Sequence, residues 1–324
     1  MLALLIDLVL AVHLLAMNLA TGLPLVILWL GWRQFAAGDR EAGTLACTLA
    51  RAAISLLGVG MVLGGVLLAG LWVGHSDFFA AAGRIELSRY WFAAFELVFY
   101  ALCLGGYLWL ADRIERVERA RFVAMALLCV LAGTDLAYHF PPLFAVIGVL
   151  VEREGGAGEP VRLVRAMMDA EVVALVGHFL LASVSVSGLA AGLVARYRQS
   201  ARADLAIRSA WLSLAATAMQ LPVGLWLFSV TGEETRERLL GGSILATGAM
   251  ALALVATVGL LNQLLALALG EAERQGWWKA VGLVATIVVL MVVGQQQARQ
   301  EGLHRPNLSP AVNDAEGHVV LRTV

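Results

Sequence analysis

The run EVVALVGHFLLASVSVSGLAAGLVARYR begins at Glu171, closes on Arg196, Tyr197 and Arg198, and is almost free of charge between. His178 stands one heptad after Glu171 and one heptad before Ser185, so the three share a helix face. Other residues of the same kind recur in apolar surroundings: His13, Glu96, the pair Asp135 and His139 at i, i+4, and Met250. An imidazole or carboxylate in hydrocarbon is costly unless a ligand, a partner or a reaction uses it. Neutral imidazole ligates metals and moves protons near neutral pH; a carboxylate can carry a proton. The competing reading of each is structural. His13 and His178 would hydrogen-bond across helices, His139 would pair with Asp135 on one face, and Glu96 with Arg89. Met250 would be packing.

The elements that must position these groups are long apolar helices. A helix rises about 1.5 Å per residue, so about 20 residues cross a hydrocarbon core of roughly 30 Å. Apolar runs predict eight spans, over about 2–31, 52–74, 89–111, 122–150, 171–197, 209–230, 240–269 and 279–296. Pro141-Pro142 should kink the fourth. The first run is too long, and lacks the basic start, of a secretory signal. The expected fold is all-α and polytopic: two four-helix bundles, 1–150 and 151–297, followed by a polar outer tail, 298–324. The inner loops take the larger share of the 23 Lys and Arg, and both DRIERVERAR and ARYRQSAR fall inside, if both termini are outside. That orientation puts His13, Glu96, His139 and His178 in the outer half of the membrane, with His75 at its edge. A weak repeat accompanies it: Trp32-Arg33 follows His13 in the register in which Tyr197-Arg198 follows His178.

Composition agrees. Charged residues are 15%, against about 25% in soluble domains, apolar residues 60%, and the mean hydropathy is +0.81. A net charge of −1 argues against nucleic acid. Cys47, Cys103 and Cys129 have neither CxxC nor CxxCH spacing, so no zinc site or covalently attached c-type haem is signalled. Gln220, Asn262 and Gln263 read as cross-helix hydrogen bonders. Trp32, Trp91, Trp109, Tyr197, Trp277 and Trp278 read as interfacial anchors.

Four stretches together resemble the large subunit of cytochrome bd quinol oxidases: His13 ahead of Thr21-Gly22-Leu23-Pro24, the aromatic run YWFAAFELVFYALCLGGYLWLADR around Glu96, the segment GTDLAYHF, and GHFLLASVSVSGLAAGLVARYR with His178. The likeness runs in helix order and spacing over roughly residues 5–296. It implies that His13 is the axial ligand of a high-spin haem near the outer side. Glu96 is then the helix-three glutamate beside that haem, and His178 the ligand of the low-spin haem b that takes electrons from quinol. The chain departs from the family in four places. At the register of the family's methionine ligand stand Leu245 to Gly248, with Met250 nearest. Where the eighth helix should carry a glutamate ligand stand Ala285 and Thr286. The quinol loop is reduced to TGEETRERLL, and a polar tail replaces the ninth helix.

The resemblance therefore implies an integral membrane b-type cytochrome subunit of the bacterial cytoplasmic membrane, passing electrons near the outer face inside a larger respiratory complex. Haem b, one or two, is the expected cofactor, with quinol a further candidate. His13 and His178 are the expected iron ligands, with Met250 and His139 as candidate second ligands. Arg89, with Arg84, Arg153 and Arg162, would neutralise propionates, and Glu96 would handle protons. Expected partners are lipid, other membrane subunits and an outer-face cytochrome. Two alternatives stay open: a haem-free bd-like structural or transport subunit, and a terminal quinol oxidase subunit that reduces oxygen.

Overall fold

The computed structural model describes residues 2–74, 76–111, 118–154, 158–197, 203–271, 273–303, 312–313 and 319–320. His75, the basic positions Arg113, Arg116, Arg198 and Arg202, and most of the tail beyond 303 lie outside these residues. Eight helical segments are long and apolar enough to cross a membrane. They are α1 (Leu2–Ala37), α2 (Arg40–Gly74), α4 (Leu87–Ala111), α5 with α6 (Arg119–Tyr138 and Phe140–Glu154), α8 (Ala170–Tyr197), α9 (Ala203–Val230), α11 (Ile244–Ala268) and α12 (Arg274–Leu303). The short helices α3 (Ser76–Gly83), α7 (Leu163–Ala166) and α10 (Glu233–Glu237) lie in connections. The fold is thus all-α and polytopic; two-residue strands, Val312–Asn313 and Val319–Val320, pair antiparallel in the tail.

The second span starts at Arg40, well before the expected 52, because Asp39 caps it: the Asp39 carboxylate accepts from Ala42 N at 3.1 Å. Gly38, at φ 63°, makes the turn between α1 and α2. The fourth span breaks where two prolines remove consecutive N–H donors. α5 ends at Tyr138, His139 takes φ −109° and ψ −53°, and Leu143 N restarts the ladder on His139 O at 2.9 Å.

α1 is the centre of the molecule, packing against α2, α5, α8 and α12. Pro24 inside α1 cannot donate to the carbonyl of Ala20. The fully buried Tyr100 of α4 supplies that bond from its hydroxyl at 2.5 Å. Against α8 the approach is so close that a Cβ on Gly22 would lie 2.2 Å from Ser183 O. α8 and α9 are zipped by hydroxyls: Ser185 Oγ meets Thr217 Oγ1 at 2.6 Å, and Ser213 Oγ donates to Ser185 O at 2.8 Å. Among the remaining neighbours, α2 packs on α4, α4 on α5, α9 on α11, α11 on α12 and α12 on α8.

The two ends are closed differently. At the end carrying the α1–α2 turn, Arg33 bridges Asp39 at 3.1 Å and Asp204 at 3.0 Å. At the opposite end, a second apolar cluster joins Ala81, Ile85, Leu143, Ile147, Leu163 and Val172 beneath α3 and α7. There the short α9–α11 connection is also anchored: Thr235 bonds Glu152 at 2.5 Å, and Arg238 bonds Glu234 and the carbonyl of Ala298. One anchor expectation fails. Trp277 is 3% exposed, its ring filling the space that Gly192 leaves open, whereas Trp32, Trp91, Trp109 and Trp278 are exposed.

Removing the Tyr100 hydroxyl should leave the Ala20 carbonyl unmatched and cost about 1–3 kcal/mol. In a Pro24→Ala background the restored N–H can take that carbonyl, so Tyr100→Phe should cost measurably less. Thermal unfolding of the four proteins in detergent checks this; equal cost of Tyr100→Phe in both backgrounds would refute it.

Candidate functional site

Helix alternation puts the starts of α1, α4, α8 and α11 and the end of α6 at one end of the bundle. His13, Glu96, His139, His178 and Met250 therefore all lie nearer that end than the other. The structure brings two of them into direct contact. His139 Nδ1 and Glu96 Oε2 are 2.8 Å apart, with side chains 5% and 3% exposed. One proton lies between them, on the ring or on the carboxyl. The helix break makes the contact: at 139 the backbone leaves the α5 spiral, and the ring turns toward α4. Phe92 covers it at a centroid distance of 5.5 Å.

The partners differ from both structural expectations. His139 bonds Glu96 across 43 residues rather than Asp135 at i, i+4. Asp135 Oδ2 is buried without a hydrogen-bond partner, within the electrostatic reach of Glu96 and His139. Arg89 stands exposed in the first turn of α4, about two turns from Glu96, and acts on His139 through space alone.

His13 is held by α2. Its Nδ1 is 2.9 Å from the carbonyl of Gly60, and an acceptor there requires the proton on Nδ1. Nε2 is left with its lone pair, the ring arrangement of a ligating histidine with its other nitrogen tied back. Gly60 and Gly64 make the room: a Cβ on Gly64 would lie 3.1 Å from His13 Cε1, and one on Gly60 would strike Met17. The spacing GMVLG is a small-xxx-small pattern, a legible signal of close helix approach.

His178 faces α9, where a Cβ on Gly224 would lie 3.6 Å from its Cε1 and Nδ1. That Nδ1 is buried with no hydrogen-bond partner. The two residues that share its helix face are bonded elsewhere, Glu171 to Arg153 at 2.9 Å and Ser185 to Thr217. Met250 packs against the apolar cluster of Leu239, Ala246 and Ala298. Of the arginines, Arg84 pairs with Glu154 at 2.7 Å and Arg153 with Asp169 at 2.8 Å. The Arg153 hydrogen bond holds the Asp169 carboxyl below its usual range. Arg89 and Arg162 are exposed.

Among the described residues no three or more His, Cys, Asp or Glu are arranged to hold a metal ion. A haem iron asks the protein for only one or two ligands, and the tied-back ring of His13 and the orphaned Nδ1 of His178 fit that demand. The cysteines carry no site: Cys103 and Cys129 are buried, Cys47 partly so, and all are free thiols.

No family model matches the chain, and no curated protein matches it in sequence. Its fold is similar to the bd oxidase from Geobacillus thermodenitrificans, with a TM-score of 0.71 and 15% identity over 92% of this chain and 85% of that one. The chain is a polytopic membrane protein of bd-oxidase-like fold.

If Glu96 and His139 act as one unit, their substitutions should not add. A cycle of Glu96→Gln, His139→Gln and the double variant, read by thermal unfolding, should show coupling of about 1–3 kcal/mol. Additivity to within about 0.5 kcal/mol would dissolve the pair.

Proposed function

We propose that the chain is a b-type cytochrome subunit that passes electrons near the outer face of a bacterial cytoplasmic membrane, within a larger respiratory complex. The observation that carries this is the state of the imidazoles on a bd-like fold. His13 is tied back through Nδ1 with Nε2 free, and His178 is buried with Nδ1 unmatched. A haem b bound there supplies a one-electron couple. His13 and His178 would be its iron ligands, one haem or two. His139 and Met250 are the candidates for a second ligand, His139 with its Nδ1 already oriented by Glu96. Arg89 and Arg162, both exposed and without an ion pair among the described contacts, are the candidate arginines for a propionate. The chain divides into halves at 1–150 and 151–297, with the tail 298–324 and both termini outside; the end bearing Glu96 and His139 is then the outer one. Partners would be lipid, further membrane subunits and an outer-face electron carrier such as a cytochrome, with quinol as a candidate donor.

Two observations favour a second reading, a haem-free bd-like structural or transport subunit: Arg84 and Arg153 are consumed in internal ion pairs, and Met250 sits in its own apolar cluster. The third reading, oxygen reduction, rests on Glu96 delivering protons, and Glu96 here is bonded to His139.

Optical spectra of the purified variants separate these readings. His178→Ala should lose a haem b signal while the protein remains inserted and helical; a His178→Ala protein with the full wild-type spectrum would remove His178 from the site. Met250→Leu and His139→Gln should then divide, one shifting the remaining spectrum and so marking the second ligand.

A further inference from the structure

α5 and α8 both pack on α1, and over Thr21 to Leu28 the space between them is left unfilled. The result is a cleft of about 250 Å³, walled by Thr21 and Leu28 of α1, Gly133 and Ala137 of α5, and Leu180 and Val184 of α8. Gly133 lets α5 close on α1 at one wall, where a Cβ would lie 3.3 Å from Pro24 Cβ. At the rim, Leu25 and Val130 are 49% and 45% exposed, so the cleft opens on the outer surface of the bundle. In a membrane that surface faces hydrocarbon.

The lining restricts what can enter. No charged side chain borders the cleft. Two hydroxyls that reach it are already satisfied: Thr134 Oγ1 donates to Val130 O at 2.7 Å, and Ser183 Oγ to Asn18 Oδ1 at 2.8 Å. A polar ligand would give up its hydrogen bonds there for none in return, whereas an apolar chain gives up nothing. A helix is about 10 Å across with its side chains, too wide for this space. One flexible hydrocarbon chain fits.

One end of the cleft leads to a polar mouth. The α1 face with Leu25 and Leu28 continues to Trp32, and the α5 face with Gly133 and Cys129 continues back to Phe122. Those two rings meet at 5.6 Å between centroids, and Phe122 stacks on Phe35 at 4.6 Å. Aromatic rings of this kind sit at the headgroup level. Arg119 and Arg121 stand just beyond, in the first turn of α5. Neither has an ion pair among the described contacts, and Glu118 is the acid beside them. Arg33, at the same end, is instead held by Asp39 and Asp204. Along α5 the rise from Arg121 to Cys129 is about 12 Å and to Gly133 about 18 Å. One leaflet contributes about 15 Å of hydrocarbon. A lipid phosphate at the arginines therefore sets one of its own chains at the cleft.

We infer that the cleft between α1, α5 and α8 is a fixed site for one acidic glycerophospholipid. One acyl chain fills the cleft, the glycerol lies beside Trp32, and the phosphate diester meets Arg119 and Arg121. The site stands apart from His13 and His178 and does not depend on the function proposed above.

Photolabelling tests it. The full-length chain is reconstituted in phosphatidylcholine vesicles with a trace of phosphatidylglycerol that carries a diazirine near the end of one acyl chain. After irradiation, adducts are mapped by mass spectrometry. They should concentrate on Leu25, Val130 and Leu180, in preference to the more exposed Val255 and Val258 of α11. Ala137→Phe and Val184→Phe fill the cleft from different helices; each should lose the cleft adducts and keep those on α11. A phosphatidylcholine probe with the same diazirine should label the cleft about fivefold less, because each basic residue near the surface is worth about 1 kcal/mol and Glu118 offsets one of the two. Arg119→Gln/Arg121→Gln should remove that difference. Adducts spread over all exposed faces would make the lipid mere solvent. Equal cleft labelling by both probes would mean that no headgroup is recognised. Displacement of the probe by an isoprenoid quinone, but not by unlabelled phosphatidylglycerol, would assign the cleft to a quinone tail. Each of these three results overturns the proposal.

Discussion

Hydrocarbon supplies no water, so each polar atom inside the bundle needs a partner from the protein or from something the protein binds. Much of this structure follows from meeting that demand. The carbonyl that Pro24 releases is met by Tyr100, the acid Glu96 by His139, and the hydroxyls of Ser185, Ser213 and Thr217 by one another and by backbone. Among the described residues it is left unmet at His178 Nδ1, and also at Tyr107 Oη, Asp135 Oδ2, Ser187 Oγ and Ser209 Oγ. The desolvation of a lone imidazole or carboxylate costs several kcal/mol, more than one ordinary hydrogen bond returns.

α1 carries the greatest share of this arrangement. Its small residues let α8 approach to backbone contact, its Pro24 calls in Tyr100 from α4, and its His13 leans on the glycines of α2. A chain assembled around one helix carries His13, Glu96 and His178 within its spans and His139 at the break between α5 and α6, with no long loop to position them.

The spans were legible in sequence because a continuous apolar run of span length has few other uses, and the break at Pro141-Pro142 because proline removes a donor wherever it stands. The start of α2 was not legible: the segment from Arg40 to Arg51 is too charged to read as membrane, yet Asp39 caps it into helix. Pairings were the weaker part. The i, i+4 rule joined His139 to Asp135 on the assumption of an unbroken helix, and the kink that was foreseen is what sends the ring to Glu96 instead. The partner of His13 is a backbone carbonyl, which carries no residue-type signal; only the Gly60–Gly64 spacing hinted at it. Trp277 looked like an anchor because tryptophan near a helix end usually is one, but the absent side chain of Gly192 admits it to the core.

The central claim is that a redox cofactor fills the polar gaps at the end of the bundle that bears Glu96 and His139. A reduced-minus-oxidised optical spectrum of the wild-type protein, purified in mild detergent from a haem-sufficient host, reads it directly. The account predicts a haem b difference band that survives purification with the folded chain. A flat difference spectrum from protein that is helical and monodisperse would contradict it.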